Sequence, residues 1–173
     1  MPHSHHSHSG QFCRHAAGTL EQVVLEAIRQ GFEVYGLTEH VPRYRKEDLY
    51  PEEMEMQDLM NQFTGFLDEA HRLRLAYEGR ISLLVGLETD FITEVDLERL
   101  EELLDKHRGR IDYIVGSVHH VAGTPIDFDL ETYRKVLEQP EVKGSSEEET
   151  MQNFLCLYFD AQYEVLRDSD LRL

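Results

Sequence analysis

The chain is poor in cysteine, in positive charge and in long apolar runs. Only Cys13 and Cys156 occur among 173 residues, so no disulfide framework is available and a reducing compartment is expected. Lysine and arginine number 17 against 34 aspartates and glutamates, a formal charge of −17. That balance argues against a nucleic-acid backbone as the main partner, because a polyanion is bound by clustered cations. No apolar run approaches the roughly 18 residues that span a bilayer, and no segment has the charged, apolar and small-residue order of a secretory signal. The expectation is a soluble, cytoplasmic protein with no membrane partner. A Gly-rich phosphate loop, a G-x-S-x-G elbow and a Cys-x-x-Cys pair are also missing, which leaves nucleotide-loop, serine-hydrolase and zinc-ribbon chemistry without support.

What the chain does have is histidine, ten in all, four of them in the opening "MPHSHHSHSG". A purification tag is normally an unbroken histidine run joined by a linker. Here serines are interleaved and ordinary sequence resumes within ten residues. The length and a 40% hydrophobic content suit one domain covering 1–173. The acidic excess reads mainly as a solvated surface, but a site holding two or three divalent ions would bring about +4 to +6 of opposing charge.

Periodicity predicts alternating strands and helices. A short extended stretch at the N-terminus leads to Thr19 and Gln22, which fit a capping box, and to a helix with Leu20, Val23, Val24, Ala27 and Ile28 on one face, ended by Gly31. "FEVYGLTEH" is the second strand candidate, "ISLLVGLETDF" the third and "DYIVGSVHH" the fourth. Helices are expected at about Glu52 to Tyr77, Val95 to His107, Leu130 to Leu137 and Glu147 to Leu166, with "VAGTPIDFD" and "EQPEVKGSSEE" as links. The β-α-β-α-β-α-β-α order predicts parallel strands joined by crossovers, with chemistry at their carboxyl ends.

All four strand candidates end in metal-competent residues: His6 and His8, Glu39 and His40, Glu88, and His119 and His120. Histidine with carboxylate suits zinc, iron or manganese. Strand alternation pairs His6 with His8, or His3 with His5, but not both sets. Cys13 reads as a small buried thiol before a ligand, and His71 and His107 as solvated helix residues. Glu39 has three open roles: binding metal, orienting His40 or handling a proton. Metal-assisted hydrolysis of a phosphoester is the chemistry this set fits, with Glu88 bridging adjacent ions.

At these residues the chain resembles the polymerase and histidinol phosphatase (PHP) superfamily, and within it the fungal-type histidinol-phosphate phosphatases. The resemblance runs through "SHHSHSG", "LTEHVPR", "GLETDF", "DYIVGSVHHVAGTPIDFD" and "YFDAQYEVL". It implies an α/β fold, a distorted seven-stranded (β/α) barrel of which about four βα units are present, and up to three divalent ions. It also implies hydrolysis of L-histidinol phosphate in histidine biosynthesis. On that resemblance His6 and His8 would bind a first metal, Glu88 would bridge it to a second held by His119, and His15 and His40 would bind a third. Glu39 and Glu88 are the catalytic candidates, and Arg43 and His120 the substrate-side ones. Two later family motifs, a histidine after a further strand and an Asp-x-His, have no counterpart, and the aspartates of "RDSDLRL" do not map onto them. The expectation is a C-terminally truncated barrel with exposed strand edges open to self-association and little activity by itself. Two alternatives stand beside the phosphatase: a phosphoesterase for another small phosphate ester or nucleotide, and a catalytically inactive fragment.

Overall fold

A computed structural model describes residues 2–49 and 55–167. The start of the second expected helix at Glu52, and Asp168 and Asp170 of the C-terminal motif, lie outside them. Within the described residues the chain divides into two compact units. One comprises the chain up to Glu88 together with Glu102–Val115, and the other Thr89–Glu101 together with everything from Gly116 onward.

The first unit is a curled half-barrel of four parallel strands, β1 (His3–Ser4), β2 (Val34–His40), β3 (Ser82–Glu88) and β4 (Tyr113–Val115), in the order β1-β2-β3-β4. Successive neighbours in one direction are what repeated βα crossovers produce. Between β1 and β2 lies α1 (Leu20–Arg29), started by the reciprocal Thr19–Gln22 capping box. Between β2 and β3 lies α2 (Met56–Ala76), which packs on both strands and on α1. Leu20, Val24, Leu37, Phe66, Leu67, Leu73, Val85 and Leu87 are fully buried, so the helical and strand periodicities converge on one core.

Tyr113 reaches across this sheet. It pairs with Gly86 on β3, and its hydroxyl passes Gly36 of β2 to donate to the His5 carbonyl at 2.5 Å. A Cβ on Gly86 would stand 2.7 Å from the Tyr113 ring, and one on Gly36 would overlap the hydroxyl. Both glycines are therefore required by a close approach.

After β3, α3 (Glu94–Lys106) leads back to β4. The second unit holds β5 (His120–Val121) and β6 (Thr124–Pro125), an antiparallel hairpin, with α4 (Leu130–Leu137) and α5 (Glu147–Arg167). Its core is Val121, Val136, Val142 and Phe154. The expected fourth strand "DYIVGSVHH" is thus corrected: it stops at Val115, and His120 belongs to a separate hairpin. Ala122 and Gly123 form the turn with φ of 49° and 73°, the left-handed pair of a two-residue hairpin. No helix among the described residues is long and apolar enough to cross a membrane.

Candidate metal centre

The first unit gathers six of the expected residues where β2 and β3 end. β2 finishes on Glu39 and His40, and β3 on Glu88. β1 is shorter than expected, so His6 and His8 lie in extended chain beyond it. That segment is nevertheless held beside β2 through Ser7. Its N–H donates to Thr38 Oγ1 at 3.0 Å, its hydroxyl donates to the Gly36 carbonyl at 2.7 Å, and its carbonyl accepts from Thr38 Oγ1 at 3.0 Å. With Ser7 bound to β2, His6 and His8 both reach Glu88.

Three imidazoles converge on one carboxylate oxygen. Glu88 Oε2 lies 2.8 Å from His8 Nε2, 3.1 Å from His40 Nδ1 and 3.2 Å from His6 Nε2. His6 Nε2 and His8 Nε2 are 3.0 Å apart. Glu88 is 1% exposed. A buried carboxylate needs compensating charge. Metal–ligand bonds of about 2.0–2.2 Å give donor-to-donor edges of about 2.8–3.1 Å in octahedral and about 3.3–3.6 Å in tetrahedral shells, so this spacing and this nitrogen and oxygen donor set fit a divalent cation.

Glu39 has a different task. Its Oε1 accepts from both the Ser9 N–H and the Ser9 hydroxyl at 2.9 Å, while Oε2 lies 3.1 Å from His8 Nδ1. Its imidazole contact is thus with His8. Burial favours a neutral His8 ring. The hydrogen bonds and charges of Glu39 and Glu88 outweigh it and raise the pKa from 6.5 to about 9. A divalent ion would take over the charge that this proton supplies.

His15 Nε2 lies 3.4 Å from His40 Nε2 and 3.0 Å from Cys13 Sγ, so His40 stands between the Glu88 cluster and a thiol. Burial pushes the Cys13 thiol up to about 11, against hydrogen bonds from the His15 and Ala16 backbone. A pocket lined by Cys13, Arg14, His15, His40 and Arg43 opens beside them. Arg43, 6% exposed, is among the residues lining that pocket.

The second unit places His119 and His120 beside carboxylates of their own. His119 Nδ1 is 2.7 Å from Asp127 Oδ2, and this contact holds the exposed Asp127 carboxyl below its usual range. His120 is buried, with Nδ1 3.1 Å from Asp90 Oδ1. The ring of His120, expected on the substrate side, is enclosed beside Asp90. His107 also departs from expectation, being 5% exposed just past α3 and packed edge-on against Phe63. His71 is part-buried, with Nε2 2.8 Å from the Arg110 carbonyl. Ser9, Asp90 and Asp127 were not singled out by sequence reasoning. The available signal was their place within the motifs, next to His8, two residues after Glu88 and in "PIDFD".

Comparison with known proteins gives the chain's family. A family model described as the PHP domain matches residues 4–166. A protein of Schizosaccharomyces pombe, provisionally named histidinol-phosphatase, is 46% identical over 169 residues, 96% of this chain and 52% of its own length. The histidinol-phosphatase of Saccharomyces cerevisiae is 32% identical over 176 residues, covering 95% of this chain and 50% of that protein. A crystal structure from Listeria monocytogenes, provisionally named a histidinol phosphatase, superposes with a TM-score of 0.69 over 92% of this chain and 59% of its own. At 22% identity that likeness speaks to the fold. The chain spans about half the length of the curated relatives it matches. Matched along nearly all of its described length, the chain belongs to the PHP domain family.

Proposed function

We propose that this chain carries metal ligands of a phosphomonoesterase that hydrolyses L-histidinol phosphate to L-histidinol and phosphate in histidine biosynthesis, within a (β/α)7 barrel. The observation that carries the reading is the convergence of His6, His8 and His40 on the buried Glu88 carboxylate. His6, His8 and Glu88 would hold one ion, His15 and His40 another, and the family resemblance gives His119 to a further one. Zinc, iron and manganese all suit these donors. Bound there, such ions would supply the Lewis acidity that brings the pKa of water from about 15.7 toward about 7 and would offset the charge of the phosphate.

The protein's own groups position and bind. Glu39, fixed by Ser9, holds the His8 ring so that Nε2 faces Glu88. Arg43 and Arg14 bring guanidinium charge to the pocket beside His15 and His40, suited to a phosphate dianion. Water and a small phosphate ester are thus the reactants the site accommodates.

The test is phosphate release from L-histidinol phosphate and a panel of other phosphate monoesters, by the chain stripped of metal and then reloaded. The reading predicts that release by this chain alone is low, requires metal, prefers L-histidinol phosphate and drops to background in Glu88→Ala. Turnover that survives both Glu88→Ala and His119→Ala overturns the site, and preference for a nucleotide overturns the substrate.

A further inference from the structure

The thiol of Cys13 is absent from the ligand set the resemblance implies, yet it stands among those ligands. Its Sγ is 3.0 Å from His15 Nε2, and its ligand atom and those of His8 and His40 lie within 4.8 Å of one another. The side chain is 6% exposed, so the thiol faces imidazoles in an enclosed setting. A tight turn fixes it: the Cys13 N–H donates to the Ser9 carbonyl at 2.9 Å, and its own carbonyl accepts from the Ala16 N–H at 3.1 Å. His8 is engaged by Glu39 and Glu88. His40 has its Nδ1 toward Glu88 and its Nε2 3.4 Å from His15 Nε2, so His15 links Cys13 to His40.

We propose that Cys13 is a thiolate ligand which, with His15 and His40, forms a sulfur-containing position selective for zinc over manganese or magnesium. The inference rests on the metal-centre reading above. On binding, the S–H bond breaks, its proton passes to solvent and the sulfur lone pair forms the bond to the ion. Thiolate and imidazole together favour zinc, whereas the end at Glu88, which has a carboxylate oxygen and no sulfur, accepts harder ions as well. Zinc–sulfur and zinc–nitrogen bonds of about 2.3 and 2.0–2.1 Å give a tetrahedral sulfur-to-nitrogen edge of about 3.5 Å, so Cys13 and His15 need part by only about half an ångström. The Glu88 contact to the far nitrogen of His40 is the outer support such a ligand ordinarily has.

The experiment is cobalt(II) titration of the chelator-treated 173-residue chain under anaerobic conditions. We expect visible d–d absorption together with a near-ultraviolet thiolate-to-cobalt charge-transfer band. Cys156→Ser should keep both. Cys13→Ser, checked for folding by circular dichroism, should lose the charge-transfer band, keep the d–d absorption, and bind zinc about 10- to 100-fold more weakly with manganese affinity unchanged. Should the variant not fold, X-ray absorption on the zinc-loaded wild type reads the same point as a sulfur shell at about 2.3 Å. Cobalt bound without a charge-transfer band, or zinc with only nitrogen and oxygen neighbours, overturns the Cys13 assignment alone. Failure of the wild type to bind any cobalt or zinc overturns the metal centre itself, and with it this inference.

Discussion

Ser9 orders a candidate metal ligand through its neighbour. Both of its donors hold Glu39 Oε1, and Oε2 then fixes His8. Ser9→Ala removes one donor from a buried carboxylate, which costs about 1–3 kcal/mol, and is expected to weaken metal binding about 10-fold or more. Chelator competition checks this; unchanged affinity would mean that Glu39 needs no such support. His107 supports a second prediction of the same grain. Burial, aided by Lys106 and Arg110 and opposed by Asp68, lowers its pKa below 6.5, and its Nε2 is buried with no hydrogen-bond partner among the described residues. The unfolded chain therefore binds a proton there more readily than the folded one, so stability is lost as pH falls below about 6.5 and is flat above it on this account. His107→Phe should remove that acid-side loss in denaturant titrations at pH 5 and 7; an identical slope in both proteins would contradict it. At this scale the sequence shows which side chains are metal-competent, because His40 and Glu88 end strands and His6 and His8 follow one closely. It does not show burial, so His107 and His120 read as open when tertiary packing encloses them.

Among the elements, the two long strands are legible because their apolar runs are bounded by helices and end on the site residues. β1 and β4 are less so. β1 is two residues long, and its continuation is held by Ser7 and Thr38 side-chain hydrogen bonds that no periodicity records. β4 gives way to a hairpin whose turn is Ala122-Gly123, a pair without the usual Asn-Gly signature. Ala122 occupies a left-handed conformation that disfavours a Cβ, so Ala122→Gly is expected to raise stability by roughly 0.5–1 kcal/mol. A lower melting temperature for the variant would show that the turn is not strained. The cross-sheet Tyr113 contact makes an independent case. Tyr113→Phe leaves the His5 carbonyl without its hydroxyl donor, one residue before His6. Metal affinity should fall while the far-ultraviolet spectrum stays unchanged, and equal affinity would reduce Tyr113 to a packing residue.

For the molecule as a whole, the excess of acid over base finds its structural counterpart in carboxylates aimed at imidazoles: Glu39 and Glu88 in one unit, Asp90 and Asp127 in the other. Such an arrangement gains from a bound cation only in the folded state. Metal at about 100 times its dissociation constant should stabilise the chain by about 2.7 kcal/mol, read as a higher melting temperature that a chelator reverses. The central claim is that Glu88 anchors a divalent-metal centre, and metal content after purification, measured by elemental analysis, tests it most directly. The account predicts at least one equivalent of a divalent transition ion or zinc in the wild type and a marked loss in a folded Glu88→Ala; a metal-free wild type after loading, or a variant that holds as much, would contradict it.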